Sequence, residues 1–178
     1  MSKELTPIVN GAFLALSEPR IAPGGDEDSA KYGVTVVLDA DDKFWIKLQK
    51  KIDAAAIAKW GKIPPKCVMP IKDGDDTEYP EFAGCNTVSV ASKRRPEIVD
   101  ANVQPMMSLN GIGSGDLFRI SYNVYCWEYG GIKKGVSLGL SNVMWISEGE
   151  ERWDGGSKAA SDFADFAEED GDAEDLLG

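Results

Sequence analysis

Along most of this chain apolar positions recur at the period of a β-strand, and in one stretch only at the period of a helix. Residues 8–16 (IVNGAFLAL) form an apolar run that predicts a strand. Residues 17–31 carry two prolines, two glycines and the cluster Asp26, Glu27, Asp28, which predicts a loop. The β-branched run YGVTVVL at 32–38 predicts a second strand. A helix is expected from about Asp42 to Trp60, capped by Asp39 or Asp41 and ended by Gly61 ahead of Pro64 and Pro65. Phe44, Leu48, Ile52, Ala55 and Ala56 share one face of it, with Lys43, Lys47, Lys50 and Lys51 opposite. Those lysines are either an ordinary solvated face or a basic shoulder beside a binding groove.

Further strands are expected at 66–72 and 85–91, and 117–129 (LFRISYNVYCWEY) has the clearest alternation. There Phe118, Ile120, Tyr122, Val124 and Cys126 share one face, and Arg119, Ser121, Asn123, Tyr125 and Trp127 the other. The turn GGIKKG follows, and 136–146 returns as its partner. Five or six strands with one main helix predict a mainly β, OB-fold-like small barrel, a five-stranded design that often binds oligonucleotides. Another β-sandwich fits the same content, and strand order is not legible at this level.

Charge divides the chain in two. The whole carries −11 and residues 154–178 carry −8, with nine acids against one base, which leaves −3 for the other 153 residues. Between Lys43 and Lys134 bases outnumber acids by fourteen to ten. The expected division is therefore a folded domain at 1–152 and a disordered acidic tail at 153–178, too rich in acids and small residues to build a core. The absence of an apolar run long enough to span a bilayer, and of a secretory leader, predicts an intracellular protein.

Catalysis finds little support. The chain has no histidine, which removes the commonest general base. Cys67, Cys85 and Cys126 lie in strand-like stretches at no metal-ligand spacing and read as small buried hydrophobes. The glycine-rich NGIGSG at 110–115 lacks the Lys-Ser/Thr of a phosphate-binding loop and precedes a strand. Asp73, Asp75, Asp76 and Glu78 could serve a metal-dependent nuclease or nucleotide hydrolase, but Asp-Gly-Asp is also an ordinary turn signal. No cofactor or metal is expected.

The polar face of 117–129 is better matched to single-stranded nucleic acid. Arg119 offers a cation for phosphates, and Tyr125 and Trp127 offer rings for unstacked bases, unless a loop or the helix covers them. Lys93, Arg94 and Arg95 after a strand end, and Lys133 and Lys134 in the hairpin turn, are further candidate phosphate contacts or plain surface charge. In the tail, Phe163, Asp165, Phe166, Leu176 and Leu177 combine acids with apolar anchors suited to a partner protein's basic groove. A third reading is an acidic protein that mimics DNA and binds a basic partner.

Taken in order, PIKDGDD at 70–76, SKRRPEIVD at 92–100, NGIGSGDLFRISYNVY at 110–125, GGIKKGVSLGLSNVMWISEGE at 130–150 and the terminal SDFADF resemble the bacteriophage single-stranded DNA-binding proteins. The resemblance covers roughly residues 66–166. It implies an OB-fold body with an acidic tail that coats single strands during replication or recombination in the infected host's cytoplasm. It also implies that the tail contacts replication proteins such as a polymerase or helicase and competes with DNA. Many such tails end in an aromatic residue, whereas this one ends in Leu176, Leu177 and Gly178. Homo-oligomerisation is left open.

Overall fold

The computed structural model describes residues 3–21 and 24–153. Phe163, Asp165, Phe166, Leu176 and Leu177 lie outside the described residues. The elements are β1 (Glu4–Leu5), β2 (Val9–Arg20), β3 (Lys31–Asp39), α1 (Lys43–Trp60), β4 (Ile71–Asp73), β5 (Cys85–Ser92), β6 (Glu97–Val99), β7 (Leu117–Tyr129) and β8 (Lys133–Ser147).

All eight strands join one sheet. β2 pairs with β3, β3 with β5, β5 with β8, β8 with β7, and β7 with β2, so five strands form a closed ring. The β5–β8 contact is parallel, with Val90 beside Leu138 and Ala91 beside Gly139, while the other four are antiparallel. This is the mainly β, OB-fold-like arrangement expected, and closure leaves the five principal strands few free edges. β7 and β8 are the longest strands, joined through Gly130 and Gly131, whose φ of 63° and 69° only glycine adopts without strain.

The ring is filled by the alternation of its strands. Val34 and Val36, Val88 and Val90, Phe118, Ile120 and Tyr122, and Val136 and Leu138 all point inward and are buried. α1 adds Phe44, Leu48, Ile52 and Ala56 to this core, and Phe44 meets Tyr122 edge to face at 6.4 Å. Burial holds the Tyr122 hydroxyl proton, and with the nearby Glu4 charge pushes its pKa up to about 12.

Several local expectations change. The helix cap is Asp42, whose Oδ1 accepts from Phe44 N at 2.8 Å. Asp39 instead accepts from Asp41 N and shapes the turn before the helix. β2 continues to Arg20 through residues expected to be loop, because a register shift after Ala15 lets Arg20 pair with Lys31. The strand expected at 66–72 contracts to β4 at Ile71–Asp73 and a single bridge from Val68 to Gly135. The three cysteines are only partly buried, and Cys67 stands outside any strand. Burial, then Asp39 and Asp75, raises the Cys85 thiol pKa. Burial, then Cys67, raises that of Cys126 against the lowering effect of Lys59.

Candidate nucleic-acid interface

The inward set on β7 leaves Arg119, Ser121, Asn123, Tyr125 and Trp127 on the outside of the ring, as period-two alternation requires. Across the ladder from them stand Met144, Asn142, Gly139, Ser137 and Gly135 of β8. A bulge at Ser141 keeps both strands in phase, since Ser121 pairs with Asn142 and Tyr122 with Leu140. Small residues on β8 give the larger β7 side chains room to lie down. The Trp127 indole rests over Gly135 and donates from Nε1 to Ser137 Oγ at 2.9 Å. The Asn123 amide rests over Gly139, and a Cβ at either glycine would collide with it or with the indole.

The floor extends sideways. Gly33 of β3 pairs with Ala91 of β5, Ala91 with Gly139 of β8, and Gly139 with Asn123 of β7, which makes one hydrogen-bonded row of small residues across four strands. Beside it, Thr35 pairs with Ser89, and Ser137 with Tyr125. The result is a shallow, uncharged floor walled on one side by Tyr125 and Trp127. Both rings are half-buried, and the Trp127 indole packs down on Gly135 of β8.

The cationic candidates do not converge on one spot. Lys93, Arg94 and Arg95 are exposed in the loop from β5 to β6, beginning two residues beyond Ala91. Arg95 stands 5.6 Å from the centre of the Tyr32 ring. Arg119 is exposed and pairs with Met144, which also pairs with Val99 of β6, so Arg119 and the Lys93–Arg95 loop share one end of the face. Because β5 and β8 are parallel, Lys134, five residues before Gly139, lies at the other end. At about 3.3 Å per residue, Lys93 and Lys134 are on the order of 20 Å apart along the strands. Lys134 sits opposite Glu128 and 5.7 Å from the Trp60 ring centre, and Trp60 itself donates to Glu128. Lys133 beside it is exposed.

Lys43, Lys47 and Lys51 border a cleft with Leu5, Pro7 and inward-facing Tyr122. That cleft is on the other side of β7 from Trp127, and Lys51 is bound to Glu4 at 2.6 Å. The basic shoulder beside this face is therefore not formed by those three lysines.

Two other motifs have structural work. Asp73 accepts from Asp75 N and Asp75 from Gly84 N, both at 2.9 Å, so these carboxylates hold the turn from β4 toward β5. Among the described residues, no group of three or more Cys, Asp or Glu stands close enough to hold a metal ion. The NGIGSG loop docks on the end of the domain through fully buried Asp116, which accepts from Gly113 N at 2.9 Å, Trp145 Nε1 at 3.0 Å and Gly149 N at 3.2 Å. Arg152 faces the same carboxylate at 3.7 Å and donates to Gly111 O. Gly115 is needed there, because its φ of 97° and the Glu151 carbonyl leave no room for a Cβ, whereas the space beside Gly111 is open.

The small residues of the floor carry neither a charge nor a ring to mark them in the sequence. Their signal is the alternation in VSLGL at 136–140, where every outward residue is Ser or Gly, together with Ser89 and Ala91 in TVSVA.

Known proteins resemble this chain in sequence and in fold. A family model described as the ssDNA-binding protein of Enterobacter phage Enc34 matches residues 5–177. The single-stranded DNA-binding protein of bacteriophage Enc34, solved in complex with ssDNA, superposes with a TM-score of 0.72 at 20% identity, over 83% of this chain and 88% of that one. The bacteriophage T7 single-stranded DNA-binding protein gp2.5 superposes with a TM-score of 0.64 at 16% identity, over 89% and 98%. Putative protein p50 of Acyrthosiphon pisum secondary endosymbiont phage 1 is 32% identical over 98 residues, which are 54% of this chain. The match spans about half the length of that relative, 52%.

Proposed function

The chain belongs to the family of the Enterobacter phage Enc34 ssDNA-binding protein, and from that premise we propose that it binds single-stranded DNA across the outer face of β7 and β8, with little sequence preference and no chemistry on the strand. The observation that carries this reading is the small-residue floor from Gly33 to Asn123, walled by Tyr125 and Trp127. A strand can lie close to such a floor, its bases stacking on sequence-tolerant rings and its phosphates reaching Arg119 and the Lys93–Arg95 loop. The test is a salt titration with oligo-dT against a duplex competitor. Tight binding that weakens steeply with salt, and prefers single strands, supports the reading. Equal affinity for duplex sinks it.

In the infected cell's cytoplasm such a protein would coat and protect strands exposed during phage replication or recombination. We assign the acidic segment 153–178 two roles in that setting: competing with DNA for the cationic face, and recruiting a polymerase or helicase through Phe163, Asp165, Phe166, Leu176 and Leu177. The −8 charge of residues 154–178, tethered to a chain with exposed Lys93, Arg94 and Arg95, supports the first role. The apolar residues set among those acids support the second.

A further inference from the structure

Around the edge of the floor lies a second aromatic surface, on β2. Phe13 has a φ of 50°, a left-handed conformation that an aromatic residue rarely adopts. It sits in the register shift between Ala12 and Ala15, a bulge that turns its ring out of the sheet. Phe13 remains 40% exposed although the run around it, residues 8–16, is largely apolar. It meets Tyr79, 37% exposed, edge to face at 5.1 Å, and Phe82 at 5.9 Å. Its contact with Phe82 leaves part of the ring packed and part in water, and left-handed outliers of this kind cluster where a ligand is held.

The surroundings fit one ligand chemistry. A cavity of ≈ 440 Å³ opens beside the two rings, lined also by Arg20, Glu81, Ser114 and Trp153. Arg20 is held over the bulge by donating to Leu14 O at 3.3 Å. Phe13 and Arg20 also line a neighbouring cleft of ≈ 270 Å³ whose other walls include Gly33, Thr35, Ser89 and Ala91. These four belong to the floor described above, so the cavity is continuous with it. Flat rings next to a cation, reached from a small-residue floor, suit a nucleobase with its phosphate. Glu81, in the same lining, repels phosphate and favours a backbone path beside Arg20.

We propose that Phe13 and Tyr79 form a second base-stacking step, with Arg20 holding the adjoining phosphate, where a bound single strand leaves the β3–β5 floor and turns over β2. The step rests on the single-strand reading above and lengthens its path. Phe13→Leu keeps apolar bulk without a ring, and Tyr79→Ala removes a ring that contributes little to the core. Each is expected to weaken binding of a long oligo-dT by about 5- to 150-fold, the loss of one stacked base. Neither should alter binding of an oligonucleotide too short to leave β7 and β8. Should Phe13→Leu fail to fold, photocrosslinking of the full chain to iodo-deoxyuridine-substituted oligo-dT decides, with adducts expected at Phe13 or Tyr79. Unchanged affinity for the long oligonucleotide, or adducts confined to Tyr125 and Trp127, overturns the step alone. A wild-type chain that binds no oligo-dT overturns the single-strand reading itself.

Discussion

The indole nitrogen of Trp127 donates to the hydroxyl of Ser137 at 2.9 Å, across the β7–β8 ladder. That bond, with Gly135 beneath the ring, holds the indole flat on the sheet rather than swinging free. A ring fixed in this way loses little further entropy when a base stacks on it. Trp127→Ala is expected to weaken oligo-dT binding by about 1 to 3 kcal/mol. Thermal unfolding should move little, because the inward face of β7 supplies the core. Loss of the folded state, or unchanged affinity, would show that the ring serves packing alone.

Gly135→Ala tests the same geometry without removing a ring. The added methyl collides with the Trp127 indole and must lift it from the sheet. Affinity for oligo-dT should drop while the far-ultraviolet spectrum stays that of the wild type. Wild-type affinity would mean that the flat seating of the indole is irrelevant to binding.

The separation of the basic clusters makes a prediction about salt. Removing one cation that neutralises a phosphate of a single strand reduces the slope of log affinity against log salt by about 0.7. Replacing Arg94 and Arg95 by Gln should flatten this slope by about one such step or more. Lys133→Gln at the opposite end should do so only for oligonucleotides long enough to reach the hairpin. Equal effects at every length would place both clusters at one spot, contrary to the parallel β5–β8 pairing.

Asp116 should matter for stability rather than binding. Asp116→Ala strands the buried amides of Gly113 and Gly149 and the Trp145 indole nitrogen. Unmet buried donors cost about 1 to 3 kcal/mol each, so a loss of about 3 kcal/mol or more is expected in urea unfolding. A shift below about 1 kcal/mol would indicate that the loop relaxes and finds water.

The tail and the alkaline limit give two further measurements. Truncation after Trp153, which keeps that ring against Phe82, should raise affinity for oligo-dT, most at low salt where charge competition is least screened. Identical affinities at low salt would remove the competitive role. For Tyr122, the folded pKa of about 12 stands above the ordinary value of 10.0. Its contribution is thus complete below about pH 10 and is lost as pH rises toward 12, where the unfolded chain ionises first. Tyr122→Phe should reduce that alkaline loss in a pH series of thermal melts; an unchanged alkaline slope would assign it to other groups.

Local pattern alone determined most of the elements of this protein. β7 was legible because ten positions from Phe118 to Trp127 alternate, and α1 because four apolar side chains recur at helical spacing. The outward set from Arg119 to Trp127 followed from the same alternation. Tertiary structure decided what those sets face. Pairing partners depend on residues far apart in the chain, so the closed ring and the parallel β5–β8 contact have no local signature. Without that contact, Gly33–Ala91 and Gly139–Asn123 are two separate pairs, and the distance between Lys93 and Lys134 is undefined. Phe13 is the clearest case: within an apolar run it reads as core, and only the bulge opposite Gly33 and Thr35 turns it outward. The physical reason is that periodicity sets which way a side chain points along its own strand. What lies beside it is set by register between strands, and a single bulge reverses even the direction.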